Sequence, residues 1–166
     1  GHKKIGFVGT RLMTPSIDDR FFGYLKALME RGIMYREDWI IDDRDNIYGK
    51  MDYDKQFVLP AEIPTAFFCN CDKAASLIIK KLEEAGYSVP DDVSVVGFDN
   101  FEYDQEAEIG ITTYEINIGE MAKRAVHIML HKMQNALYSA GVFSIQGKII
   151  ERESVKTIGE SIPYAN

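Results

Sequence analysis

The chain has 166 residues, 46% of them hydrophobic, with 19 Lys+Arg against 26 Asp+Glu and a formal net charge of −7. That length suits one domain or two small lobes whose core needs no disulfide or metal staple, and the composition excludes a disordered chain. The negative charge makes this polypeptide a poor ligand for a nucleic-acid backbone, which needs a clustered basic surface. Any DNA contact in its biology must come from another segment.

No stretch approaches the ~20 apolar residues that cross a bilayer, and the amino terminus lacks the apolar run of a secretory signal, so the chain reads as cytoplasmic, with no membrane partner. Cys69 and Cys71 are the only cysteines. They stand too close for an ordinary disulfide, and reduced thiols fit a reducing compartment. Gly1 and His2 directly precede a strand with no Met at position 1, and read as a remnant of trimming. The domain is expected over 3–156, followed by an unpatterned tail over 157–166.

Ile5 to Val8 is a short apolar run closed by Gly9, and Asp18 to Glu30 then carries apolar residues at helical spacing, with Asp18 as the expected N-cap and Arg31-Gly32 as the stop. Trp39 to Ile41 reads as a second short strand, and the acidic Asp42 to Gly49 as a solvated turn. Lys50 to Ile63 is poorly patterned. Thr65 to Cys69 is continuously apolar and leads into an amphipathic helix from Asp72, the expected N-cap, to Ala85, stopped by Gly86. Val93 to Phe98 is again continuously apolar. Unalternated runs separated by helices are what strands buried on both faces of a parallel sheet look like, so the class is α/β.

After Asp99-Asn100 an acidic stretch to Gly110 is a loop by composition. Thr112 to Asn117 alternates like a strand, and Gly119 to Asn135 is a helix with Met121, Ala125, Ile128, Met129 and Met133 on one side. Val142 to Ser154 holds two β-rich pieces, VFSI and KIIERES, expected to form a hairpin.

In an open parallel sheet, ligands sit beyond the carboxyl ends of the strands. That rule selects the Gly9 to Arg20 loop, the Cys69 to Asp72 corner and the Asp99-Asn100 corner. Asp99 follows a fully apolar strand and opens no clear helix, so capping does not account for it. No G-x-G-x-x-G or G-x-x-x-x-G-K-[ST] phosphate cradle occurs. His127 and His131 stand at i and i+4 without the Glu of H-E-x-x-H or a third ligand, and Cys69-x-Cys71 lacks a second pair, so neither a metal nor a cofactor is expected. The spacing of Asp42, Asp43 and Asp45 departs from a calcium loop. No nucleophile–base pair emerges, so the chain is not expected to be an enzyme.

Several segments in order resemble the lactose-repressor (LacI/GalR) family of bacterial transcription regulators, in the second half of its effector-binding domain. HKKIGFVG (His2 to Gly9), DDRFFGYLKAL (Asp18 to Leu28), PTAFFCNCDKAA (Pro64 to Ala75), GYSVPDDVSVVGFDN (Gly86 to Asn100), TTYEINIGEMAKRAV (Thr112 to Val126) and IIERESV (Ile149 to Val155) carry the likeness. The V-P-x-D-V-S-V-x-G-F-D stretch is the specific one. The resemblance implies a three-layer, doubly wound, mostly parallel sheet of type I periplasmic-binding-protein kind, here the carboxyl-terminal lobe with part of the other lobe's crossover. In such proteins the helix over 119–135 belongs to the other lobe, so it is expected to lack a partner here.

It further implies effector contacts by Arg20 and Asp99, with Thr14 and Ser16 in the loop lining the pocket, and a departure at Cys71, where many members carry Asn. A guanidinium donates to, and a carboxylate accepts from, the hydroxyls of a sugar or sugar phosphate. Partners implied are that effector, a second copy of the chain through helices 18–30 or 72–85, and operator DNA through a headpiece outside this sequence. A sugar-binding module of a transport system is the alternative reading, and a small enzyme or phosphoacceptor using Asp99 or the Asp42-Asp43 pair a third.

Overall fold

A computed structural model describes residues 1–45, 47–101 and 108–159. The stretch over 102–107, most of the acidic loop expected after Asp99-Asn100, and the tail over 160–166 lie outside the described residues. In chain order the elements are β1 (Ile5–Val8), α1 (Pro15–Glu30), a 3₁₀ turn (Glu37–Trp39), β2 (Ile40–Ile41), β3 (Ala66–Cys69), α2 (Asp72–Glu84), β4 (Ser94–Asp99), β5 (Thr112–Glu115), α3 (Ile118–Gln134) and β6 (Lys148–Ile150). They build one six-stranded sheet in the order β2-β1-β3-β4-β5-β6. All neighbours are parallel except β6, which runs antiparallel along β5.

Side chains alternate across the strands and divide the core in two. On the α2 face Val8, Phe67, Cys69 and Val95 pack with Ala74, Ala75, Ile78, Ile79 and Leu82. On the α1 face Phe7 packs with Ile17, Phe21, Tyr24 and Leu28, and Phe68 joins them. Gly6 permits the close approach: a Cβ there would stand 2.6 Å from the Phe67 ring and 2.7 Å from the Trp39 carbonyl. Burial of aromatic and aliphatic side chains at about 1.5–3 kcal/mol each drives both layers together.

Several local expectations are corrected. Helix α1 starts three residues earlier than its apolar periodicity, because Pro15 fits the first turn and Thr14 caps it, its hydroxyl accepting from the Ile17 amide at 3.3 Å. Asp18 instead accepts from the Leu12 amide at 2.8 Å. At α2 the cap position is Cys71, which makes no side-chain cap bond, and Asp72 is the first helical residue, its carboxylate turned into the sheet. Trp39 lies in the 3₁₀ turn, leaving only Ile40–Ile41 as strand. VFSI forms no strand; KII pairs instead with the open edge of β5, Glu115 opposite Lys148 and Thr113 opposite Ile150.

The poorly patterned segment after β2 holds no helix, yet it covers α2. Phe57 is fully buried in the α2-side core, the Tyr53 hydroxyl donates to Glu84 at 2.7 Å, and the Lys81 ammonium sits 4.3 Å from the Tyr53 ring. Leu77, Ile78 and Leu82 are therefore core residues of this chain. Helix α3 is the opposite case. None of its residues is buried, and Val126, Met129, Leu130 and Met133 are more than half exposed.

Candidate ligand-binding site

The carboxyl edge of the parallel strands collects the charged residues. Arg20 projects from α1 across this edge. Its Nη1 donates to the Asn70 carbonyl at 2.7 Å, its Nη2 to Asp99 Oδ1 at 3.0 Å, and its guanidinium lies 4.0 Å from the Phe98 ring centre. Three elements, α1, the end of β3 and the end of β4, thus fix one cation, and Arg20 and Asp99 are joined across 79 positions of sequence. Both side chains remain about one-fifth exposed.

The Asp99-Asn100 corner is left-handed at both residues, φ 103° and 51°, a backbone state that ordinary side chains avoid and that surrounding contacts must hold. Asn100 supplies them. Its amide donates to Thr113 Oγ1 at 3.4 Å, its Nδ2 to Glu115 Oε1 at 2.8 Å, and its Oδ1 accepts from Arg152 Nη2 at 2.7 Å. Below the corner Asp72 accepts from the Thr113 hydroxyl at 2.6 Å and from the Phe101 amide at 3.0 Å. Gly97 makes room for it, since a Cβ there would stand 2.1 Å from Asp72 Oδ1.

Burial pushes the Asp99 carboxyl above the usual carboxylate range; Arg20 opposes the rise and neighbouring Asp72 adds to it. Asp72 is raised by burial as well, against its hydrogen bonds from Thr113 and the backbone. Glu115 is held low by Lys148, 3.0 Å away, and by Asn100.

A second charged cluster lies at the end of β2 and contains residues the sequence reading missed. Asp43, expected in a solvated turn, is completely buried. It accepts from the Thr10 amide at 2.9 Å, Asn70 Nδ2 at 2.9 Å and Arg44 at 3.0 and 2.7 Å. Burial alone would raise its pKa, but the Arg44 guanidinium and these donors together hold it below the usual range. The signal available was Arg44 directly after the acidic pair, a cation placed to neutralise a carboxylate entering the core. Asp45 turns outward and caps the following turn.

The profile of the periplasmic binding protein-like domain family matches residues 1–155. The chain belongs to that family. Its relatives include the HTH-type transcriptional repressor PurR of Photobacterium profundum, 30% identical over 158 residues, covering 95% of this chain and 47% of that protein. The NTD biosynthesis operon regulator NtdR of Bacillus subtilis is 33% identical over 155 residues, 93% of this chain and 47% of that protein. Among solved structures, a LacI-type regulator of Bacillus cereus subsp. cytotoxis superposes with a TM-score of 0.78 at 25% identity, over 94% of this chain and 55% of that one. The chain thus spans about half the length of these relatives. The expected likeness to LacI-family regulators, and the mostly parallel sheet it implied, both hold.

Within this periplasmic-binding-protein-like domain the site residues expected from sequence do not share one environment. Arg20 and Asp99 meet. Ser16 lines the same groove as Arg20, a cavity of about 930 Å³ running along the α1 face past Phe98 and Tyr114, and its hydroxyl lies 3.1 Å from that of Thr14, which is engaged as the α1 cap. Cys71 is buried, its thiol pushed up by burial and lying close to Arg44. Arg11, on the loop before α1, is paired with Glu37 at 2.5 and 3.2 Å on the surface. The His127 and His131 rings touch at 4.4 Å, with Tyr138 stacked on His131. Among the described residues no group of three His, Cys, Asp or Glu side chains converges as a metal site, and no helix is long and apolar enough to cross a membrane.

Proposed function

We propose that this chain is the effector-sensing part of a sugar-responsive bacterial transcription regulator. The observation that carries the reading is the Arg20–Asp99 pair, held from three elements at the carboxyl edge of a parallel sheet, where open α/β folds take their ligands. The pair offers a fixed guanidinium face and a carboxylate oxygen, Asp99 Oδ2, beside the one that Arg20 occupies, a donor and an acceptor suited to ring and hydroxyl oxygens. Ser16 extends the contact along α1. The repressor and operon-regulator relatives support assignment to transcription control, with operator contact through a segment other than this acidic chain.

The mechanism follows from linkage. A small molecule that binds one arrangement of the effector domain better than another shifts the balance between them, and a coupling of about 1–3 kcal/mol suffices for regulation. No bond is made or broken, and the protein acts as a cytoplasmic homodimer rather than as an enzyme. Thr14 and Cys71 take part indirectly, through the α1 cap and the α2 corner.

Thermal-shift screening against neutral, amino and phosphorylated sugars tests this. A rise in melting temperature with one class, abolished in Asp99→Ala and in Arg20→Met, is the expected result. No ligand-dependent shift that distinguishes wild type from Asp99→Ala would overturn it.

A further inference from the structure

Beside the Arg20–Asp99 pair, and sharing Asp99 with it, a cavity of about 510 Å³ opens between the Asp99-Asn100 corner, the Glu115–Gly119 crossover and Gln146–Lys148. Its size accommodates a sugar ring with substituents. Its ionisable lining comprises two carboxylates, Asp99 and Glu115, and one cation, Lys148. That cation is already paired with Glu115 at 3.0 Å. The other cations at this end are engaged as well: Arg20 by Asp99 and the Asn70 carbonyl, Arg152 by the Ile111 carbonyl at 2.6 Å and by Asn100 at 2.7 Å, and Arg44 by Asp43. Residues 102–107, which follow the corner, contain no Lys or Arg.

Both oxygens of Glu115 are filled, Oε1 by Asn100 and Oε2 by Lys148, so the open acceptor of this lining is on Asp99. Arg20 occupies Oδ1 of Asp99, while Oδ2 takes no hydrogen bond from the described residues. Buried Asp72 lies close enough behind it to add a second negative charge. A phosphate brought here would meet Asp99 and Glu115 with Arg20, Lys148 and Arg152 already engaged. An ammonium would instead relieve the mutual repulsion of Asp99 and Asp72 and complete the bonding of Asp99.

We infer that this cavity selects a ligand bearing a protonated amino group among its hydroxyls, an amino sugar, over the corresponding neutral or phosphorylated sugar. The inference rests on the effector reading above and names the ligand class of that site. Lys148 has a specific part in it. Paired with Glu115, it is drawn toward that carboxylate and competes less well for a phosphate.

Calorimetric titration of the protein tests this with glucosamine, galactosamine and mannosamine, each beside its N-acetyl form, its parent hexose and the hexose 6-phosphate. On the framework that binds, the amine is expected to be at least about tenfold tighter than its N-acetyl and parent forms, the scale of one added charge-assisted hydrogen bond. Glu115→Gln frees Lys148, and is expected to cut that preference and strengthen the 6-phosphate. A 6-phosphate or parent hexose that binds wild type more tightly than the amine overturns the inference while leaving the effector site standing. An amine preference unchanged in Glu115→Gln also overturns the role of this cavity. Heats indistinguishable from those of Asp99→Ala for all twelve compounds overturn the effector reading itself.

Discussion

Asp43 and Asp99 occupy equivalent places, each near the carboxyl end of an apolar strand and each paired with an arginine, yet they end in opposite states. Asp43 is sealed, its oxygens filled by Thr10, Asn70 and Arg44, and it is held below the usual carboxylate range. Asp99 is about one-fifth exposed, receives one guanidinium bond and is raised by burial. The first carboxylate ties β1, β2 and β3 together. The second keeps an oxygen that takes no hydrogen bond from the described residues, in a left-handed corner held by Asn100 and its partners. The difference teaches that an Arg–Asp pair is structural or available according to how many other donors reach the carboxylate.

The sharpest way to break this contrast is at Asp43. Asp43→Ala leaves Arg44 and two buried donors without their acceptor, and is expected to cost about 3–5 kcal/mol in urea unfolding. The same carboxylate sets an acid limit. Its native pKa lies below the unfolded value of about 3.9, so its contribution is present above that pH and is lost as pH falls through the native value. Wild type should therefore lose more stability than Asp43→Asn on acidification below about pH 4.

Next in size is Gly97→Ala. Its methyl group would fall on Asp72 Oδ1, and displacing that buried carboxylate from Thr113 is expected to cost about 1–3 kcal/mol, read from the urea midpoint.

Asp99→Asn should do what Asp43→Asn does not. Because burial raises the Asp99 pKa, ionisation opposes folding above the native pKa, and the neutral amide is expected to melt no lower than wild type at pH 7 while abolishing the ligand-induced shift. A melting temperature several degrees below wild type would place Asp99 in the same class as Asp43.

The smallest effect concerns α3. Met129→Glu on its exposed face is expected to change unfolding by less than about 0.5 kcal/mol. It should nonetheless lower self-association in light scattering, since α3 exposes Val126, Met129, Leu130 and Met133 together.

Much of this was legible along the chain. The apolar runs of β1, β3 and β4, the amphipathic α2 with its Gly86 stop, and the exposure of α3 followed from periodicity and likeness, because parallel strands buried on both faces need unbroken apolar sequence. The strand-end rule for α/β folds pointed to the Gly9 to Arg20 loop and the Asp99 corner, and the family likeness singled out Arg20 and Asp99, which the fold brings into contact. The caps were misjudged where a side chain had a stronger tertiary partner. Asp72 looks like a helix cap in any local window, and only Thr113, 41 positions away, draws it into the sheet.

The sequence by itself determined the α/β class, the family likeness, the strand ends that carry charge and the net acidic balance. Tertiary structure alone decided which carboxylate is sealed and which is open, that Lys148 is spent on Glu115, and that a patternless segment carries Phe57 into the core. The physical reason is range. Burial of apolar runs is written in local period, whereas the protonation and pairing of a charge depend on donors that the fold brings together from dozens of residues away.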